Sequence, residues 1–312
     1  MAVRLMMRPT VAPMTTEEFC RTTDPYAIAA DGFVKDGPWY DEKAPRLNCN
    51  HHEGVERLAT RATCAQALMA VRMGMYKRFR DADGPRADVY VNDCDEDVCA
   101  TWTVFSHPEL ATQTFNPAFN RLVGMVDMLD STCGAYPLDP DSRIAQELAW
   151  IFQPYRRFRS SGGLDLRDAA SFTGIVTDVS NRMLEYVVGH GERIALDTRY
   201  ERIGGGKGWT MIREVGEHGR VGAFRDGIEA YVIARERSDG ALALTVGRIS
   251  QFIEQFPVPT ILADLTEAEG TNAVHGGGTT VGGTDRVFGT RLTLPRIHEV
   301  IANAQRKHGV QV

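Results

Sequence analysis

Apolar positions keep a helical rhythm through much of the first half of the chain and give way to short β-type runs after about Gly208. In GVERLATRATCAQALMAVRMGMYKRFR (54–80), Leu58, Ala62, Ala65, Leu68, Met69, Val71 and Met75 recur at intervals of three and four, which predicts a helix. The same spacing predicts helices over NPAFNRLVGMVDMLD, stopping at Asp130, and over AASFTGIVTDVSNRMLEYVVGHGE, ending at Gly189 or Gly191. Asp88 to Val91 reads as a strand breaking into an acidic turn, and Val98, Ala100, Trp102 and Val104 follow as helix or strand. GWTMIREV, VGAFRDGI, AYVIARER and ALALTVG read as β-type runs between glycine or charged turns. A helix (ISQFIEQF), a strand (TILADLT), the glycine-rich HGGGTTVGGTDRVFG and a last helix (LPRIHEVIANAQRKH) complete the pattern.

Residues 1–50 read as loop-rich, with turn chemistry in DGFVKDGPWYDEKAPRL. The Ser-Gly-Gly of RRFRSSGGLDLRD (156–168) interrupts two periodic regions and marks an interdomain joint, so two α/β units are expected. RIGGGKGWT (202–210) lacks the Walker spacing and reads as a hairpin turn. A length of 312 residues with 43% hydrophobic residues is ample for such a pair of cores. The net charge of −6 argues against duplex nucleic acid as a partner, but leaves room for a small phosphorylated ligand held by local arginines. No window reaches the roughly 20 continuous apolar residues of a membrane span, and MAVRLMMRPTVAP is too short and broken for a signal peptide. The six cysteines form no CxxC pair, so reduced thiols and a cytoplasmic setting are expected.

Candidate chemistry gathers in the first half. LNCNHHEG sets His51 and His52 side by side, where any regular element would aim them apart. VYVNDCDEDVCATW places Asp93, Asp95 and Asp97 at alternate positions around Glu96, a self-repelling set that solvent or a divalent cation can offset. It follows a strand, where α/β folds place their sites. Asp127 and Asp130 lie three apart at a helix end, against the macrodipole, and Asp36 and Asp41 flank the turn leading to the histidines. Solvated loops and ordinary helix ends are the competing readings, and a zinc site using Cys49 or Cys94 stays open. No Gly-x-Ser-x-Gly elbow supports a serine nucleophile, and Cys49 beside the histidines makes no ion pair by itself.

WYDEKAPRLNCNHHEG, NDCDEDVCA and VDMLDS resemble the His-His, Asp-x-Asp and later aspartate motifs of the DHH-family phosphoesterases, and VHGGGTTVGGTDRVFGTRL is similar to the GGGH segment of their second domain. Asn50 stands where the family has the first aspartate of Asp-His-His, Val91 where a histidine precedes Asp-x-Asp, and the segment order is exchanged. The resemblance implies an α/β chain of two domains: a parallel-sheet, metal-binding domain over 1–160, a connecting helix over 161–190, and a smaller mixed α/β substrate-binding domain over 191–312. It implies hydrolysis of phosphoester or phosphoanhydride bonds in a small phosphorylated molecule or short oligonucleotide, by water activated on a divalent metal, commonly Mn²⁺, with Mg²⁺, Fe²⁺ or Zn²⁺ as options. Asp36, His51, His52, Asp93, Asp95, Asp127 and Asp130 would hold metal, with His52 and Asp95 in catalysis. His275, Gly276, Gly277, Gly278, Arg286 and Arg291 would bind substrate. A single-metal enzyme of other chemistry, a non-catalytic phosphate-binding module, and a homodimeric assembly stay open.

Overall fold

The computed structural model describes residues 2–113, 116–270 and 273–310. The described residues form two sheets and eleven α-helices, a mixed α/β architecture. The chain divides into two compact units, Met1–Ser131 with Ser142–Ile194 and Thr132–Asp141 with Ala195–Val312.

The first unit contains β1 (Ala2–Met7), α1 (Thr16–Thr22), β2 (Ala27–Ala30), β3 (Trp39–Asp41), β4 (Arg46–Cys49), α2 (Thr63–Arg72), β5 (Arg80–Asp81) and β6 (Gly84–Val91). There follow α3 (Glu96–Ser106), α4 (Pro108–Thr112), α5 (Pro117–Ser131), α6 (Arg143–Ile151), α7 (Gln153–Ser160) and α8 (Ala169–Val187). The strand order is β1-β6-β2-β4-β3, parallel through the first four, with β3 antiparallel at the edge and β5 paired to β6. The loop-rich start does hold long turns, but four short strands, β1 to β4, run through it. Its central strand β2 is only AIAA, buried throughout, and a strand covered on both faces carries no alternation to reveal it.

Helix α2 also departs from expectation, starting at Thr63 rather than near Gly54. Its cap position, Ala62, has no side chain to offer. Instead Asp97 accepts Thr63 N–H (2.7 Å) and Cys64 N–H (2.8 Å), and Asp127 accepts Ala62 N–H (2.7 Å). Carboxylates from distant segments thus satisfy donors that every helix start leaves open. Residues 156–168, expected as a joint, form the end of α7 and a 3₁₀ turn, with Phe158 edge-on to Phe172 of α8 at 5.6 Å.

The second unit contains β7 (Tyr200–Gly206), β8 (Trp209–Glu214), α9 (Gly219–Arg225), β9 (Ala230–Glu236), β10 (Leu242–Arg248), α10 (Val258–Glu269), β11 (Gly276–Gly277), β12 (Val281–Gly283) and α11 (Leu294–Lys307). Its order is β11-β12-β10-β9-β8-β7, antiparallel except for β8 with β9. One face packs Val232, Leu244 and Val246 against Ile261 and Leu265 of α10 and Ile297 and Ile301 of α11. The other packs Ile212, Tyr231 and Ile233 against Ala223 of α9. The hairpin expected at 202–210 joins β7 to β8. VGAFRDGI, expected as a strand, spans the end of α9, because β8 and β9 are parallel and need a crossover. TILADLT belongs to α10, whose buried Val258, Ile261, Leu262 and Leu265 keep the helical period, and Pro259 within its first turn suits a helix start. ISQFIEQF is not helical. Phe252 in it is exposed, and Pro257 and Pro259 follow. No helix among the described residues is long and apolar enough to cross a membrane.

Candidate metal centre

Parallel pairing puts the C-terminal ends of β6, β2 and β4 side by side, and each end is followed by a polar residue of interest. Asp31 follows β2 at φ 54°, in the left-handed region, and Gly32 continues the turn. Asn50, His51 and His52 follow β4, whereas β6 runs through the acidic turn into α3. Asp130 comes from the last turn of α5.

These pieces converge on His51, whose side chain is fully buried. Its Nε2 lies 2.7 Å from Asp130 Oδ2, 3.5 Å from Asp31 Oδ1 and 3.7 Å from Asp97 Oδ2. Yet neither ring nitrogen of His51, nor Asp130 Oδ2, is aligned in a hydrogen bond with any described residue. Such a gathering of lone pairs without directional bonds suits a cation. Ligand atoms about 2.1 Å from one ion in octahedral geometry stand roughly 3 Å apart. Two overlapping groups, Asp31 with His51 and His52, and His51 with Asp97 and Asp130, each bring their ligand atoms within 4.8 Å of one another. Carboxylate oxygen with imidazole suits Mn²⁺, Fe²⁺ or Zn²⁺.

The electrostatics agree. Burial alone would lower the His51 pKa, but Asp130 and Asp31 reverse that and raise it to about 11. Burial would raise Asp31, but His52 and His51 hold it well below the usual carboxylate range. Asp97 is pushed up to about 7 by burial and by Asp31 and Asp130, and Asp95 is raised for the same reasons with Asp93 added. Without a cation this site carries more negative charge than its interior position supports, so protons must occupy it. Cys49, pushed up to about 12 by burial and Asp97, stays a thiol and is no nucleophile.

His52 differs from its neighbour. Its ring sits 4.4 Å from that of His51, its side chain is 39% exposed, and its Nε2 is 2.7 Å from Asp31 Oδ1. Asn50 is buried and holds the turn. Its Nδ2 donates to the carbonyls of Val34 (3.1 Å), Asp36 (2.9 Å) and Glu53 (3.2 Å), while Oδ1 accepts His52 N–H (2.9 Å). An aspartate there could not donate to these carbonyls.

Of the seven expected ligands, His51, His52 and Asp130 meet here. Asp36 lies outside the cluster, its exposed carboxylate accepting Thr16 N–H (2.8 Å) and Oγ1–H (2.5 Å). Asp93 accepts Cys94 N–H, Asp95 caps α3 through Val98 N–H, and Asp127 serves Ala62 N–H, so these three have structural duties beside the cluster. Asp31 and Asp97, which were not among the expected ligands, also face His51. Asp-Gly after a buried AIAA was the available signal for Asp31; Asp97 stood out with Asp93 and Asp95 in the acidic turn, but which of the three faces His51 depends on where α3 begins.

In the second unit, His275 is buried, its Nδ1 accepts Asp285 N–H (3.1 Å), and its Nε2 lies 3.6 Å from Glu269. Gly276 and Gly277 form β11, where a Cβ on Gly277 would stand 2.2 Å from Gly282 Cα. Gly278 N–H closes the turn on Val281, Arg286 O accepts from Arg237, and Arg291 Nη1 donates to Asp239 O. Strand approach thus requires glycine at position 277, whereas a Cβ on Gly276 would meet nothing within 4 Å.

The fold and this cluster define a class, mixed α/β proteins with a buried histidine–carboxylate centre at parallel strand ends. A scan against models of known protein families matches none, and a search of curated proteins returns none that is similar.

Proposed function

We propose that the chain is a metal-dependent hydrolase of phosphoester or phosphoanhydride bonds in a small phosphorylated molecule or short oligonucleotide. The observation that carries this reading is the buried His51 Nε2 facing three carboxylates with no aligned hydrogen bond. His51, Asp31, Asp97 and Asp130 would hold a divalent ion, most simply Mn²⁺, with the nearby Asp93 and Asp95 available to a second. Such an ion lowers the pKa of a bound water and draws charge from the phosphoryl oxygens.

The protein's own part is proton and charge placement. His52 is the partly exposed member, and Asp31 holds its pKa above the ordinary histidine value against the effect of burial. Protonated, it could pass that proton to the leaving oxygen as the phosphorus–oxygen bond breaks, with Asp31 stabilising the imidazolium beforehand. The glycine-rich hairpin, with Gly276 and Gly277 exposed, remains in this reading a phosphate-binding element. A reducing, cytoplasmic setting belongs to the same proposal, supported by six free thiols.

Elemental analysis of the purified protein, followed by phosphate release from a panel of mono-, bis- and oligonucleotide phosphates with added Mn²⁺, tests it. Bound metal with Mn²⁺-dependent release is expected. Metal or phosphate bound without turnover would replace the hydrolase with a binding module.

A further inference from the structure

Arg57 lies on the irregular loop between the histidines and α2, and its situation is unusual for an arginine. The side chain is only 11% exposed, yet its nearest anionic atom is Asp130 Oδ2 at 3.9 Å. Nη2 donates to the backbone carbonyl of Asp130 at 3.2 Å, and Nε is buried with no partner among the described residues. Glu56, the nearest acid in sequence, accepts Leu58 N–H instead. By contrast Arg61, four residues on, is 67% exposed, 3.9 Å from Asp127. A guanidinium has five donors in a rigid fork, and leaving them dry and unmatched is costly.

A cation in the cluster sharpens this imbalance, because Asp130 would then be committed to the ion and Arg57 would stand beside two positive charges. An anion touching both resolves it. We propose that Arg57 receives a phosphoryl oxygen of the bound substrate, so that the site selects terminal phosphates, esters or anhydrides carrying three non-bridging oxygens, over internal phosphodiesters. The inference rests on the metal-centre reading above. Its chemistry is simple: oxygens engaged by the ion still leave one for the guanidinium in a terminal phosphate, whereas an internal diester has only two in all. The planar fork suits that role better than a lysine ammonium.

Calorimetric titration of wild type, Arg57→Gln and Arg57→Lys, first with Mn²⁺ and then with inorganic phosphate on the Mn²⁺-loaded proteins, tests it. Arg57→Gln should keep the Mn²⁺ affinity and weaken phosphate binding by about ten- to a hundred-fold, with Arg57→Lys recovering part of the loss. In turnover, wild type should prefer p-nitrophenyl phosphate to bis(p-nitrophenyl) phosphate, and Arg57→Gln should lose that preference. Unchanged phosphate affinity in Arg57→Gln overturns the proposal. So does a parallel fall in Mn²⁺ affinity, which would mean that Arg57 only holds Asp130 in place. If wild type binds no Mn²⁺, the metal reading fails and this inference with it; if Mn²⁺ binds and only the phosphate arm fails, Arg57 alone is misassigned.

Discussion

His51 in the first unit and His275 in the second are both buried beside acid, and the two are solved differently. In the second unit, His275 accepts Asp285 N–H at Nδ1 and faces one carboxylate, Glu269, whose oxygens already receive Thr290 Oγ1–H and Arg291 N–H. One ring nitrogen of that histidine is thus fixed by backbone, and its Nε2 faces a single acid that is already hydrogen-bonded. In the first unit, His51 has no aligned hydrogen bond and meets three carboxylates from three separate segments. The lesson is that a buried histidine beside acid is not by itself a metal ligand. What separates the two is an excess of converging lone pairs over available protons.

Exchanging these histidines gives the widest separation. His51→Gln should weaken Mn²⁺ binding by at least about a hundred-fold, since even residues supporting a ligand cost ten to a hundred-fold. His275→Gln should leave that affinity unchanged; an equal loss in both, by calorimetry, would erase the distinction. Asn50→Asp comes next. Replacing the amide, whose two N–H groups are shared among three carbonyls, with a buried carboxylate should destabilise the fold by about 2 kcal/mol or more, read by urea denaturation.

Proton release gives a third and smaller effect. His51 (about 11) and Asp97 (about 7) both carry protons in the metal-free protein below neutrality, and a metal displaces them. Mn²⁺ affinity should therefore rise with pH, by about two decades per unit below pH 7 and about one above it, as Asp97 ceases to hold a proton. Titrations in buffers of different ionisation enthalpy count the protons, and an affinity flat across neutrality would contradict the assignment. Smallest of all, Asp36→Ala should cost under about 1 kcal/mol and leave Mn²⁺ binding untouched, because its carboxylate is exposed and serves only Thr16. A large fall in metal affinity would restore Asp36 to the site.

Legibility followed the range of the interactions. Helices α5, α8 and α11 and the β7–β8 hairpin were readable because amphipathic period and turn glycine are local properties. Strand β2 and the true start of α2 were not, since the first is defined by neighbours on both faces and the second by Asp97 and Asp127 from elsewhere. Of the residues expected as ligands, the histidine pair and Asp130 lie together, joined by Asp31 and Asp97, which were not among them, while the carboxylates of Asp36, Asp95 and Asp127 bond to backbone elsewhere.

The sequence by itself determined the supply: adjacent histidines, several aspartates near them, and a strand running into the acidic turn. Only the tertiary structure decided which carboxylates face His51. That choice depends on β2 lying between β6 and β4 and on the last turn of α5 reaching the same strand ends. Strand order and helix approach are settled by burial across the whole unit, and no local period encodes them.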